Sequence, residues 1–141
     1  MATRHRGREV ALQMLFQLDA QEVQPDQVID LYRSCFSEGS MPDDFSIQLF
    51  LAVANQIESL DAVIERCSEN WRIERMSMVD RNILRLGTNE IINDDEIPTR
   101  VAINESVELA KRFGTQESAS FVNGILDRVA REKLAKKNGS H

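Results

Sequence analysis

Side chains able to carry catalysis are few and scattered in this sequence. His5 and His141 are the only imidazoles, and both lie near the chain ends, so a nucleophilic site with a histidine base would have to be assembled from terminal segments. The glycines never reach the spacing of a phosphate-cradling loop, and histidine and cysteine form no cluster of four metal ligands. We therefore expect a protein that is not an enzyme and that needs neither a metal nor a cofactor.

The cysteines and carboxylates lead to the same expectation. Cys35 and Cys67 each lie among apolar residues with helical spacing, which favours two buried thiols over a disulfide or a metal pair. Carboxylate pairs such as Glu105 and Glu108 are typical of solvated helix faces. Recognition of a partner remains as the chemistry to be explained.

A cluster of arginines at the amino end is the strongest candidate for recognition. Arg4, Arg6 and Arg8 crowd the first residues, and guanidinium groups bind phosphate through a planar fork. In a helix, Arg4 and Arg8 share a face and Arg6 lies nearly opposite, whereas an unwound arm would adapt to its partner. A merely solvated helix end is the competing interpretation, and the pattern alone leaves both open.

The composition places limits on the class of protein. A length of 141 residues fits one compact domain, and 42% hydrophobic with 28% charged residues is ordinary for globular proteins. A net charge of −6 argues against binding nucleic acid by bulk attraction, so any RNA contact must be local. Because the sequence contains neither an apolar run of about 18 residues nor a signal-peptide pattern, we expect a cytoplasmic protein without a membrane contact.

The apolar periodicity predicts an all-α protein of about seven helices in two packed groups, because the spacings are three and four and no stretch alternates as a strand would. The predicted segments run from Thr3 to Leu18, from Pro25 to about Gly39, from Pro42 to Ile57, from Ser59 to Trp71, from Ser77 to Ile91, from Thr99 to Phe113, and from about Thr115 past Val129. Ser77 and Thr99 are predicted N-caps, Gly114 a left-handed helix end, and Gly124 a position of close helix packing.

Four stretches of sequence carry a family resemblance. They are RGREVALQMLFQLD from Arg6 to Asp19, VDRNILRL from Val79 to Leu86, VAINESVELAKRFG from Val101 to Gly114, and SFVNGILD from Ser120 to Asp127. The chain resembles the NusB family over nearly its whole length, most weakly between Gln21 and Ser59. The resemblance implies two antiparallel helical bundles that share one core, about 1–58 and 59–135, with a flexible tail over 136–141.

The resemblance also implies a function. NusB proteins are transcription antitermination factors that bind boxA-type single-stranded RNA in nascent ribosomal transcripts. They do so as a heterodimer with NusE, a small-subunit ribosomal protein, within an RNA polymerase antitermination complex. Some family members dimerise and would hide the same RNA face, so a homodimer stays open.

Matching the family's motifs position by position implies a set of site residues. The residues at RNA-binding positions are Arg4, His5, Arg6, Arg8, Phe16, Glu117 and Phe121. The residues at partner-binding positions are Asp80, Glu117 and Phe121. His5 replaces a residue that is commonly basic, which removes a charge near pH 7, and Phe16 replaces a frequent tyrosine.

Structural roles compete with these implied functional roles. Asp80 and Glu117 could be first-turn carboxylates that stabilise their helices, and Phe121 could be a core aromatic. Phe121 lies about 100° from the inward-pointing Val122, toward the edge of the apolar stripe, where exposure is expected. Arg81 and Arg85 are interpreted as surface charges.

Two alternative functions belong to other classes. The first is a helical protein-interaction module without RNA binding of its own. The second is a stand-alone relative of the NusB-like domain of RNA cytosine methyltransferases, which would require a methyltransferase domain that this sequence does not contain.

Overall fold

The computed structural model describes residues 3–35, 41–69 and 71–139. Its helices are α1 (Arg4–Ala20), α2 (Pro25–Cys35), α3 (Asp44–Ala54), α4 (Ile57–Cys67), α5 (Met78–Asn93), α6 (Thr99–Phe113) and α7 (Ser118–Gly139), with a 3₁₀ turn at Ile73–Arg75. Within the described ranges there is no strand, and the predicted all-α class with seven helices is confirmed. The predicted end of the second helix near Gly39 lies outside the described residues.

Three helices begin at a residue whose side chain satisfies a free backbone N–H group. The acceptor and donor residues are Thr3 with Arg6 at 3.1 Å, Asp43 with Ser46 at 3.0 Å, and Ser77 with Asp80 at 3.0 Å. Each such cap is worth about 1 kcal/mol. The predicted cap at Ser77 is confirmed, whereas Thr99 is the first residue of α6 and no side chain caps that helix.

The first compact unit extends to Gln56 and contains α1, α2 and α3. Helix α1 packs against both others, and its predicted apolar stripe is buried at Val10, Ala11, Met14 and Leu15. The hydroxyl of Tyr32 on α2 donates to the Gln13 carbonyl at 3.2 Å. These contacts fix the position of α1 within the unit.

The second compact unit begins at Ile57, and α5 is its central helix. Helix α5 packs against α4, α6 and α7, and every residue from Asn82 to Ile91 is buried. The predicted stripe of α7 is also confirmed, because Val122, Ile125, Leu126 and Val129 are all buried. Because α5 is covered on several faces, none of these ten consecutive residues is exposed.

The interpretation of Arg85 as a surface charge is wrong. Its side chain is 8% exposed, and its Nε and Nη2 donate to the two carboxylate oxygens of Asp61 at 2.7 and 2.8 Å. Its Nη1 donates to Asn82 Oδ1 at 3.0 Å. The sequence gives no signal for this pair, because Asp61 lies on α4 and only the packing of two helices brings the groups together.

The two cysteines lie in different environments. Both thiols are free, but only Cys67 is buried, so the prediction of a buried thiol is wrong for Cys35 at the end of α2. Burial, with a hydrogen bond from the thiol to Glu132, raises the pKa of Cys67 to about 11. A thiol with so high a pKa is not a nucleophile near neutral pH.

Two expectations about glycines are wrong. Gly114 has a φ of −98°, so it does not end α6 in the left-handed conformation. A Cβ built on Gly124 would meet no atom within 4 Å, so no other described part of the chain packs closely against this side of α7. Sequence position identified both glycines as unusual but could not show what surrounds them.

Helix α7 continues to Gly139, through residues 136–139 of the expected flexible tail, and residues 140–141 lie outside the described part. Lysine and alanine are strong helix formers, so this end needs no apolar period to be helical. The Lys136 ammonium lies 3.7 Å from the Glu132 carboxylate, one turn earlier. In the described ranges no single helix is long and apolar enough to cross a membrane, and only α3 and α4 taken together, as a broken pair, meet that length and composition test.

Candidate nucleic-acid interface

The amino end of α1 is helical from Arg4, because Thr3 caps it. Arg4 and His5 are exposed and Arg6 is partly exposed, whereas Arg8 is only 4% exposed. The predicted arginine cluster therefore presents its first positions to solvent and buries its last. Among these four residues, only the first three have the exposure that a phosphate contact requires.

Arg4 and Arg8 lie on one face of α1, as their spacing predicts, and both contact Phe45 near the start of α3. Their guanidinium carbons lie 5.4 and 5.8 Å from the centre of the Phe45 ring. Such cation–π contacts are worth about 0.5–2 kcal/mol, depending on solvent exposure. Phe45 thus orders the two arginines. Its apolar spacing in the sequence is also what a core residue would show, so the sequence alone does not reveal this role.

Gly7 makes room for the Phe45 ring. A Cβ built on Gly7 would lie 2.5 Å from Phe45 Cδ2, closer than real atoms approach. Any other residue at this position would require the Phe45 ring or the helix to shift. Gly7 therefore allows the Phe45 ring to pack closely against this end of α1.

Glu9 balances part of the positive charge at the same helix end. Its buried carboxylate lies 3.4 Å from Arg6 Nη1 and 3.8 Å from His5 Nε2. Glu9 therefore orients Arg6 and His5 while reducing the net charge that they present. Phe16, further along α1, is half-buried.

Asp80 carries an unsatisfied acceptor in the first turn of α5. Its backbone N–H donates to Ser77 Oγ, but its carboxylate Oδ1 is buried without a hydrogen-bond partner in the described part of the chain. A buried acceptor without a partner costs about 1–3 kcal/mol. The residue as a whole is partly exposed, so Asp80 lies at the surface of its unit although Oδ1 itself is buried.

Glu117 is exposed just before α7, and its backbone carbonyl accepts a first-turn hydrogen bond from the Phe121 N–H at 3.1 Å. The Thr115 backbone N–H donates to Ser118 Oγ at 2.9 Å. Among the described residues, the side chain of Glu117 accepts only one long hydrogen bond, 3.4 Å from the Thr115 hydroxyl. Its carboxylate is therefore open to solvent and to a partner.

Phe121 lies at the edge of the α7 stripe and is half-buried, unlike its fully buried neighbour Val122. Its ring meets that of Trp71 edge to face, with 5.8 Å between the ring centroids and 76° between the planes. Trp71 is 53% exposed. The sequence pattern predicts Trp71 in the apolar stripe of α4. This prediction is wrong, because the helix ends at Cys67 and Trp71 lies in the following loop.

The structure brings together some of the predicted residues and not others. Arg4 and Arg8 meet at one ring in the first unit, and His5 and Arg6 meet at one carboxylate. In the second unit, no side-chain hydrogen bond or ion pair joins Asp80, Glu117 and Phe121 across the described residues. Phe45, Glu9 and Trp71 are the neighbours that sequence reasoning missed.

Comparison with known proteins gives a family match that covers most of the chain. A family model described as the NusB family matches residues 5–131. The chain belongs to the NusB family. A NusB relative from Sorangium cellulosum is 42% identical over 130 residues, covering 92% of this chain and 93% of the relative. One from Myxococcus xanthus is 44% identical over 134 residues, covering 92% and 96%.

Both relatives are named transcription antitermination proteins, which confirms the expectation of a transcription factor and not an enzyme. A solved structure of NusB from T. maritima has a TM-score of 0.83 and 34% identity, covering 96% of each chain. A chain from a complex described as antitermination factors NusB and NusE with double-stranded RNA has a TM-score of 0.80. At 24% identity, with 93% of this chain and 99% of that chain covered, it supports the fold alone.

Proposed function

We propose that this chain is an RNA-binding transcription antitermination factor. It binds boxA-type RNA of nascent ribosomal transcripts as a heterodimer with NusE, within an RNA polymerase antitermination complex in the cytoplasm. The observation that carries the proposal is the NusB family match from residue 5 to residue 131, with relatives named as antitermination proteins.

The exposed arginines of α1 supply the phosphate contacts in this proposal. Arg4 is exposed and Arg6 partly exposed at a capped helix end, while Arg8 is buried against Phe45. The overall charge of −6 repels RNA, so binding depends on these few local groups. Each phosphate contact releases about one condensed counterion, which makes the affinity depend on salt.

The second unit supplies groups for bases and for the protein partner. The half-buried ring of Phe121 is a stacking surface for a base, because single-stranded RNA is held largely on aromatic side chains. The carboxylates of the partly exposed Asp80 and the exposed Glu117 accept hydrogen bonds from basic side chains of NusE. A chain of the same fold is described in a complex with NusE and double-stranded RNA, so duplex RNA belongs among the ligands to be tested.

A protein-interaction module without RNA binding is the second candidate, and one observation favours it. Glu9 pairs with both His5 and Arg6, so the amino end of α1 carries less net positive charge than its sequence indicates. In that case NusE binding would be retained and RNA binding would be absent.

A transcription assay tests the proposed function itself. The template carries a boxA-type element upstream of a terminator, and transcription proceeds in a cell extract depleted of this protein. Adding back the purified chain should raise read-through on this template but not on one with a scrambled element. Equal read-through on both templates, or no response to the chain, would contradict the proposal.

A further inference from the structure

We infer that Trp71 is a second base-stacking residue, which together with Phe121 forms an aromatic platform for single-stranded RNA flanked by Arg72 and Arg75. The inference rests on the proposed RNA-binding function and adds to it a residue and a loop. The platform consists of the described residues of the loop between α4 and α5, 68–69 and 71–76, and the first turn of α7.

The exposure of Trp71 is the first observation. Tryptophan is the largest apolar side chain, yet 53% of this one remains open to solvent. Because the two rings meet edge to face and do not stack on one another, aromatic surface remains on which a further ring can stack. Exposed aromatic rings beside one another are what single-stranded nucleic acid binds, because every base has a flat face that can stack.

The loop that carries Trp71 is held in place at both ends, which makes it a preformed surface. The Ser68 hydroxyl donates to the Trp71 carbonyl at 2.8 Å. The Ile73 N–H donates to the Glu65 carboxylate at 3.1 Å, and the Ile73 side chain is buried. A platform that is already ordered loses little conformational entropy when a ligand binds.

Arg128 on α7 ties this loop to the helix that carries Phe121. Its Nη1 donates to the Cys67 carbonyl at 3.1 Å, and its Nη2 lies 3.3 Å from the Glu69 carboxylate. Glu69 has a φ of 53°, the left-handed conformation in which a residue other than glycine is strained. The sharp turn after α4 therefore contains a strained residue, and Trp71 lies beside Phe121 after this turn.

Two exposed arginines follow Trp71 in the loop, with the exposed Glu74 between them, and this charged surface favours RNA over an apolar protein surface. Arg72 follows Trp71 directly and Arg75 lies three residues on, and both are exposed. Neither guanidinium pairs with a carboxylate in the ranges that the structure describes. Arginine beside an aromatic ring supplies both a phosphate contact and a further stacking plane, the combination that suits a single strand.

The test uses the fact that Trp71 is the only tryptophan. Single-stranded boxA-type RNA is titrated into the full chain with NusE present, and binding is followed by anisotropy of a dye on the RNA. Trp71→Ala should weaken binding roughly 5- to 100-fold, the range for loss of one stacked base, and Trp71→Phe should restore most of it. In the wild type, Trp71 fluorescence should be quenched with the same midpoint as the anisotropy.

Leu134→Ala is the matched control, because Leu134 is 58% exposed on the same unit, 13 residues beyond Phe121 and so about 20 Å further along α7. It should leave RNA binding unchanged, and all variants should show the wild-type unfolding transition. If the wild type binds RNA and Trp71→Ala binds equally well, the inference is wrong while the proposed function stands. A loss of NusE binding without a loss of RNA binding would show a protein surface and also overturn it. If the wild type binds no RNA, both fail.

Discussion

The rings of Phe121 and Trp71 meet edge to face, 5.8 Å between centroids, at a place where more than half of Trp71 is exposed. Phe121 therefore packs against a surface residue and is itself only half-buried. This position distinguishes it from Val122, which is fully buried. A residue so placed can be truncated with a modest loss of folding stability.

Phe121→Ala should weaken RNA binding by about 1–3 kcal/mol if one base stacks on the ring. The free energy of unfolding should fall by less than the roughly 3–5 kcal/mol typical of a truncated core aromatic. Urea unfolding and RNA anisotropy measure the two effects separately. A variant that melts far below wild type, and whose folded fraction binds RNA and NusE normally, would show that Phe121 is structural.

Replacing Arg4 and Arg6 together by alanine should weaken RNA binding and flatten its salt dependence, by nearly one released counterion for each lost phosphate contact. Helical content should barely change, because alanine is a strong helix former. The logarithm of affinity against the logarithm of salt concentration gives the slope. Arg33→Ala, which removes one exposed positive charge on α2, is the control for a general effect of charge and should leave the slope as it is.

Arg8 should behave differently from the other two arginines. Because it is buried against Phe45, Arg8→Ala should lower the free energy of unfolding by about 1–2 kcal/mol, more than Arg4→Ala does. Urea midpoints of the two variants give the comparison. Equal stability of both, with a salt slope changed only by Arg8→Ala, would place the phosphate contact at Arg8.

Asp80→Asn should weaken NusE binding by about 2 kcal/mol, the usual value of a hydrogen bond to a charged group, and should affect RNA binding by the isolated chain much less. Folding stability should change little, because Oδ1 has no partner to lose among the described residues. Ser77→Ala is the control: it removes the cap, costs about 1 kcal/mol of stability, and should leave NusE binding intact. Titration calorimetry measures the affinity of each variant for NusE. An unchanged affinity in Asp80→Asn would show that Asp80 is not part of the partner site.

Replacing two helical glycines by alanine should change the free energy of unfolding in opposite directions. A Cβ on Gly87 would lie 2.5 Å from Ser106 Oγ and 2.7 Å from Leu126 Cδ1, and both side chains are buried, so Gly87→Ala should destabilise by about 1–3 kcal/mol. Gly124 faces open space, so Gly124→Ala should stabilise by up to about 1 kcal/mol through helix propensity. Denaturant midpoints report both, and a destabilised Gly124→Ala would contradict the description of α7.

Local signals in the sequence were sufficient to predict most of the helices. Pro25 and Ser77 predicted where α2 and α5 begin, and three-and-four spacing identified the buried faces of α1 and α7. These features depend on neighbours along the chain, which a sequence displays directly.

Features set by distant neighbours could not be predicted in the same way. Arg85 meets Asp61 across two helices, and Phe45 orders arginines that lie nearly forty residues earlier. The end of α4 was missed because Glu69, and not a glycine, takes the left-handed conformation there. Trp71 was consequently assigned to a helix, and its exposure beside Phe121 went unpredicted.

The most direct test of the proposed function is a titration of the purified chain against boxA-type single-stranded RNA, alone and with equimolar NusE, alongside a scrambled strand and the corresponding duplex. The proposed function predicts salt-dependent binding of the boxA strand by the chain alone and tighter binding when NusE is present. It also predicts weaker binding of the scrambled strand. No measurable RNA binding in either condition, while the chain still binds NusE, would contradict it and identify a protein-interaction module.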